Sequence, residues 1–246
     1  MKYLDKLINN LRKRDLTLIQ FEQILKNADT FFDNIELEKE LLLSNGCPLC
    51  IDDKVILKTK ITDIKDQTFC VVDIETTSGK VQTGQMIEIG ALKWKNGKII
   101  EKYESLVNAK DIPKKVQEIT KITPDMLHNA PNIQTVLEEF KIFLEDDLFV
   151  AHAISFDYKF ISDSFEKYDL GKLCNRKLCT IDLSKRLIQT ERYGLKYLKE
   201  HLNINIDGHH RAYSDALSTA YILQDCLDIL PDEIKTTENL IDFSKS

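Results

Sequence analysis

The amino-acid sequence predicts an α/β domain that follows a small, mainly helical domain. Residues 69–72 (Phe-Cys-Val-Val) form a short apolar run typical of a central strand. Residues 86–92 and 98–103 have the pattern of two further strands, and Asn96-Gly97 between them is a strong short signal for a tight β-hairpin. The remainder of the chain alternates helices with strands. These observations predict a sheet that is parallel except for one antiparallel hairpin.

The first 62 residues are predicted to form the smaller domain. Three segments with the helical repeat precede Asn45-Gly46, and residues 48–60 predict a hairpin that turns at Asp52-Asp53. Three helices and a hairpin are consistent with a winged-helix arrangement, although other helical bundles share the pattern. The third helix carries three glutamates that would repel DNA phosphates, so protein–protein docking is favoured for this domain.

The second domain is expected at residues 63–230, because the periodic pattern is lost around residues 61–67. Residues 231–246 are expected to be a C-terminal tail. Within the second domain, helical patterns and short apolar strands alternate. The helices are predicted near 132–145, 155–168, 181–188, 195–203 and 212–228, and the strands at 148–151 and 177–180.

Composition limits the classes of protein to which the chain can belong. It has 246 residues, of which 43% are hydrophobic and 30% charged, which excludes a disordered or collagen-like protein. No apolar run is long enough to span a bilayer, and charges interrupt the first residues where a secretory signal would be apolar. A cytoplasmic location is therefore expected. The net charge of −6 neither indicates nor excludes a nucleic-acid partner.

The six cysteines are expected to be reduced thiols, because they are few for this length. Cys47 and Cys50 have the two-residue gap of a zinc half-site, and Cys174 with Cys179 could complete four thiolates. The second gap is four residues, and Cys179 lies in a predicted buried strand. Both observations disfavour zinc.

Candidate catalytic carboxylates follow the predicted central strand. Asp73 and Glu75 are two residues apart, so in an extended chain both side chains leave the same face. Such a pair is tolerated in solvent, or is useful when a divalent cation lies between the two groups. Oxygen ligands of this kind suit magnesium or manganese.

Two further polar segments lie where a strand or loop enters a helix. The strand at 148–151 runs into a helix with Ser155 as the expected N-cap and Asp157 in the first turn. A second polar loop places His210 five residues before Asp215 at the start of an apolar helix. By itself, an acid in the first turn is also explained by the helix dipole.

Taken together, these segments resemble the motifs of the DnaQ-like family of 3′→5′ exonucleases, the DEDD group that includes the proofreading epsilon subunit of bacterial DNA polymerase III. The resemblance covers residues 68–228. Residues 71–77 (Val-Val-Asp-Ile-Glu-Thr-Thr) are similar to the first motif, 151–157 to the second and 210–215 to the third. Residues 87–91 and 119–127 add secondary matches.

The resemblance also indicates the subtype. Members with a histidine base place it five residues before the last aspartate, which is His210, whereas the position of the tyrosine of other members is occupied by Arg211. His209 is one residue out of register. The chain departs from the family at Ser78, where glycine is usual, and at Ala153-Ile154.

The resemblance implies a ribonuclease H-like, mixed five-stranded sheet flanked by helices, with a two-metal active site. Two Mg²⁺ or Mn²⁺ ions would lie about 3.5–4 Å apart. His210 would act as the general base, and Thr76, Thr77, His152 and Phe156 would hold the terminal nucleotide. The metal ligands would be Asp73, Glu75, Asp157 and Asp215.

The function expected from this resemblance is metal-dependent hydrolysis of single-stranded DNA from its 3′ end, in replication proofreading or repair. The expected partners are single-stranded 3′ ends, with DNA preferred, and a DNA polymerase or another replication or repair protein. An RNA-processing exoribonuclease is the alternative enzyme. A replication or repair adaptor that docks a partner through residues 1–60 is the alternative from another class.

Overall fold

The computed structural model describes residues 2–28, 30, 34–208 and 210–245. Its first part combines three helices with a three-stranded antiparallel sheet in the order β1-β3-β2. The hairpin expected at 48–60 is present. The elements are α1 (Lys2–Lys13), β1 (Leu16–Thr17), α2 (Leu18–Lys26), α3 (Ile35–Ser44), β2 (Leu49–Ile51) and β3 (Lys54–Leu57).

Local side-chain chemistry determines where these helices begin and end. Thr17 and Gln20 form a capping box at the start of α2, each side chain accepting a hydrogen bond from the other residue's backbone N–H at 3.2 Å. Asn34 caps α3, and its side chain accepts from the N–H of Glu36 at 2.9 Å. After α3, Gly46 has a φ of 79°, a left-handed conformation that favours glycine.

The second part contains the expected mixed five-stranded sheet, and its strand order is β6-β5-β4-β7-β8. β4 pairs antiparallel with β5 and parallel with β7, which places it at the centre. The predicted hairpin turn has Asn96 and Gly97 at φ 50° and 72°, the positive values of a type I′ turn. The strands are β4 (Phe69–Thr76), β5 (Met86–Lys95), β6 (Lys98–Leu106), β7 (Leu148–Ala151) and β8 (Lys177–Cys179).

Helices cover both faces of this sheet. One face packs against α7 and α8 through residues such as Phe140 and Phe165, and the other packs against α9, α11 and α12. The helices that follow β3 are α4 (Lys58–Ile61), α5 (Lys114–Thr120), α6 (Pro124–Leu127), α7 (Ile133–Leu144), α8 (Ser155–Lys167), α9 (Thr180–Leu187), α10 (Leu195–His201), α11 (Ala212–Asp228) and α12 (Thr237–Lys245).

The segment 231–246, expected to be a tail, is instead largely a packed helix. Leu240 and Ile241 of α12 are fully buried in the core on the α11 side of the sheet. The segment before α12 also forms an isolated antiparallel bridge, in which Asp63 pairs with Thr236. The physical reason is that the apolar residues of this short stretch fall on one helical face and cover the sheet next to α9.

Residues 1–62 contact the rest of the chain at the end of the sheet where the parallel strands β7 and β8 begin. The backbone N–H of Cys174 donates to the Asn45 carbonyl at 2.8 Å, and the ammonium of Lys141 donates to the Asn45 side chain at 2.9 Å. Arg12 of α1 forms an ion pair at 3.0 Å with Glu238 of α12, which also pairs with Arg176 directly before β8. The first part therefore sits at the end of the sheet opposite to the C-terminal ends of β4 and β7.

None of the helices in the described ranges has the length and apolar character needed to cross a membrane.

Gly46→Ala should destabilise the protein, because two effects act together at this contact. A methyl group at Gly46 would lie 2.1 Å from the side-chain oxygen of Asn175, and φ of 79° is unfavourable for alanine. We expect a loss of about 1–3 kcal/mol in the free energy of unfolding, measured by urea denaturation. Gly79→Ala is the matched control, because nothing lies within 4 Å of a methyl group there. Equal stability of the two variants would contradict this account of the contact.

Candidate active site

The central strand β4 presents its two predicted ligands at its C-terminal end. Asp73 lies opposite Gly90 on β5, and Glu75 lies opposite Glu88. Because side chains alternate along a strand, Asp73 and Glu75 share the face of Val71, which is the face covered by α11. The sequence prediction that both carboxylates leave one face is consistent with this register.

The third motif reaches this face because α11 begins directly on top of β5. A methyl group added at Gly90 would lie 2.1 Å from the backbone nitrogen of Tyr213, so only glycine fits beneath the first turn of the helix. Asp215 follows one turn into α11 and is 4% exposed. The close approach at Gly90 brings the Asp215 carboxylate towards Asp73 and Glu75.

The second motif contributes Asp157 from the first turn of α8. The chain reaches this helix through Ala153, which has a φ of 64°, and Asp157 is 4% exposed. The prediction that Ser155 is the N-cap is wrong by one residue, because Ser155 is the first residue of α8 and Ile154 precedes it without a side-chain cap. The helix begins without a polar side-chain cap, and the N–H of Phe156 in its first turn donates to the Ala153 carbonyl at 3.1 Å.

The site is crowded with negative charge. Burial and the neighbouring carboxylates of Asp157 and Asp215 raise the pKa of Asp73 well above its usual range. Burial, together with Glu88 and Asp215, raises the pKa of Glu75 to about 7. Burial also raises the pKa of Asp157. These carboxyl groups are therefore costly to ionise together unless a cation joins them.

This donor set fits divalent cations. One ligand atom each of Glu75, His210 and Asp215 lies within 4.8 Å of the other two. Asp157, Asp215 and Glu75 each add to the raised pKa of Asp73, so these carboxylates lie close enough to repel one another. Carboxylate oxygens are the ligands that Mg²⁺ and Mn²⁺ prefer. Mutual repulsion of buried carboxylates is the electrostatic condition that bound cations relieve.

His210 lies at the rim of this cluster. Its backbone N–H donates to the carboxylate of Asp215 at 3.1 Å, and its φ is 63°. Such a left-handed conformation costs a non-glycine residue of order 1 kcal/mol, and it is tolerated where the surroundings hold it in place. The neighbouring His209, one residue out of register with the family motif, lies outside the described residues.

Sequence reasoning did not assign a role to Glu88, which proves to be the support of the third motif. Its carboxylate accepts hydrogen bonds from Nε and Nη2 of Arg211 at 2.9 and 2.6 Å. It also accepts from the N–H of Ala212 at 3.0 Å, which caps α11. Glu88 is 6% exposed. The sequence signal that could have indicated this role is the position of Glu88, a single charged residue inside the apolar run 86–92.

The residues expected to hold a nucleotide differ in their surroundings. Thr76 donates to the Ser78 carbonyl at 2.9 Å, and both the hydroxyl and the N–H of Thr77 bond to the backbone of Gln85. These threonines therefore stabilise the loop between β4 and β5.

Phe156 is 38% exposed and lines a cleft of about 320 Å³ together with Lys80 and Lys159.

His152 is tied to its surroundings through both ring nitrogens. Nδ1 lies 2.9 Å from the Thr180 hydroxyl, and Nε2 lies 2.9 Å from the Tyr193 carbonyl. Since a carbonyl can only accept, Nε2 carries the hydrogen and Nδ1 accepts from Thr180. Burial lowers the pKa of His152 to about 4, so the ring is neutral. In this arrangement it joins β7 to the loop before α10.

The four cysteines whose spacing partly resembles a zinc site do not lie together. Cys47 and Cys174 are buried in the core of the first part, whereas Cys50 is exposed and Cys179 lies on β8. Burial raises the pKa of the Cys47 and Cys174 thiols, which disfavours the thiolate form that zinc requires.

Comparison with known proteins places this constellation in a family. The model of the exonuclease family RNase T matches residues 70–223, which contain every residue of the site described above. The chain belongs to this exonuclease family. Membership confirms the DnaQ-like resemblance and the predicted enzyme class, an exonuclease on an α/β domain.

Individual relatives and solved structures agree with the assignment. The PolC-type DNA polymerase III of Staphylococcus haemolyticus is 41% identical over 179 residues, which cover 71% of this chain and 12% of the polymerase. Exonuclease X in complex with 5′ overhanging duplex DNA is 25% identical with a TM-score of 0.57, covering 72% of this chain and 99% of that one. E. coli exonuclease I in complex with a dA16 oligonucleotide shares the fold, with 14% identity and a TM-score of 0.61 over 72% of this chain and 42% of that one.

Glu88→Gln should lower kcat more than it raises KM. The amide oxygen can still accept from the N–H of Ala212, but the ion pair with Arg211, which supports the loop of His210, is lost. We expect a fall of about 10-fold, the worth of roughly 1.4 kcal/mol of transition-state stabilisation. Glu88→Asp retains the charge and should recover part of the loss. Steady-state kinetics on a labelled oligonucleotide measure both constants. An unchanged kcat in Glu88→Gln would contradict the supporting role.

The melting temperature in EDTA should fall as the pH rises from about 4.5 to 7. The pKa of Glu75 rises from 4.5 to about 7 on folding, and the pKa of Asp73 also rises, so the folded state binds protons more tightly than the unfolded state. The stability due to these groups is therefore present at low pH and is lost as the pH passes through the folded pKa.

With saturating Mn²⁺ the same melts should show a larger metal-induced increase at pH 8 than at pH 5, because protons compete with the cation for the carboxylates. Asp73→Asn is the control, since it removes one repelling charge and should flatten the EDTA profile. A wild-type profile that rises with pH over this range would refute the proposed repulsion.

Proposed function

We propose that the chain is a metal-dependent 3′→5′ exonuclease that releases nucleoside monophosphates from single-stranded DNA. The observation that carries the proposal is the convergence of three motifs, distant in sequence, at one end of the sheet. Glu75, His210 and Asp215 offer ligand atoms within 4.8 Å of one another, and Asp157, Asp215 and Glu75 lie close enough to Asp73 to raise its pKa. Family membership supports the reaction class.

The carboxylates Asp73, Glu75, Asp157 and Asp215 would hold two Mg²⁺ or Mn²⁺ ions. When bound, one ion would activate the attacking water and the other would stabilise the negative charge on the leaving oxygen. The reaction joins a water oxygen to the terminal phosphorus and breaks the bond from that phosphorus to the O3′ of the preceding nucleotide. His210 accepts a proton of the attacking water as general base, and the leaving oxygen takes a proton from solvent.

Several features of the cleft suit a single strand. Phe156 presents an exposed ring on which a base can stack, and Lys80 of the same cleft can approach backbone phosphates, whereas Lys159 is paired with Asp163. Arg211 is held by Glu88 and therefore supports the loop of His210. DNA is the preferred substrate in this proposal, and an RNA substrate is the alternative.

We also propose that residues 1–62 form a domain separate from the exonuclease domain at 63–230, and that it docks a DNA polymerase or another replication or repair protein. Its contacts with the rest of the chain, through Asn45 and Arg12, lie at the end of the sheet away from the carboxylates. A partner bound there would leave the cleft open. Glu36 and Glu40 on α3 are solvent-facing charges that disfavour DNA as the ligand of this domain.

Digestion of a single-stranded oligonucleotide tests direction, metal dependence and substrate together. With Mn²⁺, a 5′-labelled DNA strand should give a ladder that shortens with time, whereas a 3′-labelled strand should release labelled mononucleotide at once. EDTA should stop both reactions. The same experiment with matched RNA separates the two substrates. Release of mononucleotide from the 5′ end first would refute the proposed direction.

His210→Ala should lower kcat by roughly 10²–10⁴-fold, the usual contribution of a positioned general base. His209→Ala is the matched control and should change kcat little. Single-turnover digestion of the labelled strand measures the chemical step for both variants. A larger loss in His209→Ala than in His210→Ala would overturn the register of the third motif.

Asp73→Asn should lose activity while melting at or above the temperature of the wild-type protein in EDTA. It removes a charge that its neighbours repel, and it also removes a metal ligand. An ion that binds only the folded state at 100 times its Kd adds about 2.7 kcal/mol, and the variant should lose most of that gain. Calorimetry in EDTA and in Mn²⁺ measures both effects. A full Mn²⁺ shift in the variant would exclude Asp73 as a ligand.

A further inference from the structure

An open groove of about 970 Å³ separates residues 1–62 from helix α7. One wall is formed by strand β2 with the end of α3, and the other by Ile142 and its neighbours on α7. Lys141 crosses the groove, donating to the Asn45 side chain at 2.9 Å and to the Leu170 carbonyl at 2.6 Å. These hydrogen bonds connect the two walls, so the groove is part of the folded structure.

Strand β2 offers unused backbone groups on this wall. It is an edge strand, with β3 on one side and no paired strand of the described residues on the other. The Pro48 carbonyl accepts from Lys58, and the N–H of Asp52 donates to Lys54, so the even-numbered residues bond to β3. By alternation, the N–H and carbonyl of Ile51 point away from β3. A short edge strand of this kind can take an additional strand.

The side chains around this edge are apolar with an acidic border. Ile142 is 77% exposed and Leu43 is 43% exposed, and both line the groove. Glu138 is exposed on the same wall as Ile142, and Asp52 and Asp53 follow β2 directly.

The charged residues of the groove are mostly acidic. Lys58 is paired with Asp146, whereas Lys141 donates to two neutral oxygens and keeps its charge. Two lysines and three acids line the groove, and the turn after β2 adds Asp52 and Asp53 beside Lys54, so the formal charge of this border is −2.

We propose that this groove binds an extended, basic and apolar segment of a partner protein, which adds a strand to β2. Backbone hydrogen bonds to Ile51 would align the segment, apolar side chains would contact Leu43 and Ile142, and lysine or arginine side chains would face Glu138 and the Asp52-Asp53 turn. The proposal identifies the surface used by the docking role of residues 1–62. It stands independently of the catalytic assignment, because no residue of the groove belongs to the carboxylate cluster.

The probe is a fluorescein-labelled heptapeptide of alternating lysine and valine, titrated onto the full chain and followed by fluorescence anisotropy. Binding with a Kd on the order of 100 μM is expected, as suits a contact of few residues. A glutamate and valine peptide of the same length should not bind. Two further peptides are N-methylated at alternate residues, all valines in one and all lysines in the other. At least one should lose binding, and retention by both would overturn strand addition.

Protein variants separate the groove from the overall negative charge. Glu138→Lys should weaken binding of the lysine and valine peptide at least fivefold, whereas Glu200→Lys, an exposed acid on α10 with the same change in net charge, should not. Ile51→Pro removes the outward N–H without touching the β2–β3 ladder and should weaken binding at least 10-fold while exonuclease activity is retained. Equal effects of Glu138→Lys and Glu200→Lys would overturn the site.

Sedimentation of the chain alone distinguishes a second copy from a partner segment. A monomer is expected at the concentrations of the titration. A dimer that Ile51→Pro dissociates would show that the occupant of the groove is another copy of this chain, and would overturn the proposal of a partner segment.

Discussion

The close approach of α11 to β5 at Gly90 is the contact on which the catalytic end of the molecule depends. A backbone nitrogen of the helix lies where a methyl group would have to be, so the helix rests on the strand with no side chain between them. Asp73 is the residue opposite Gly90 on β4, and Asp215 lies one turn into the helix. Moving the helix outward by the thickness of a side chain would separate these two carboxylates. Glu88, two residues earlier on the same strand, holds the same helix through Ala212.

Electrostatic repulsion opposes the packing that brings these carboxylates together. Burial already disfavours the ionised form of Asp73 and Glu75, and the neighbouring acids add to that cost. The carboxylate cluster therefore lowers the stability of the folded protein, as active sites often do. The large apolar clusters on both faces of the sheet provide the stability that tolerates it. The polar ties of His152 and Thr180 stiffen the adjoining strand end without adding charge.

Patterns local to the chain predicted most of the fold, whereas the set of candidate site residues came from the resemblance of three motifs to a known family. The apolar run of β4, the Asn96-Gly97 turn and the period of α7 and α11 are determined by neighbours in sequence, and the alternation of a strand suffices to put Asp73 and Glu75 on one face. Side-chain contacts between distant segments could not be read in this way. The bonds of Glu88 to Arg211 join residues 123 positions apart, and those of His152 depend on a loop that no pattern places.

Two local errors have the same origin in tertiary structure. Helix α8 follows Ala153, whose left-handed conformation the sequence does not reveal, and the polar Ser155 two residues later has the side chain of a typical N-cap. Helix α12 is short, and its burial against the sheet, not its propensity, makes it a regular element.

The position of the first 62 residues has a consequence for how the enzyme would work alongside a partner. The eight residues of β4 extend for about 23 Å at roughly 3.3 Å per residue, and the N-terminal part and the carboxylates lie at opposite ends of that strand. A partner protein bound to the N-terminal part would keep the cleft within a few nanometres of any DNA that the partner holds. The encounter between enzyme and DNA end would then become intramolecular, with an effective concentration in the millimolar range. Weak intrinsic affinity of the cleft for DNA would suffice under those conditions, and the negative net charge of the chain would limit attack on strands to which it is not tethered.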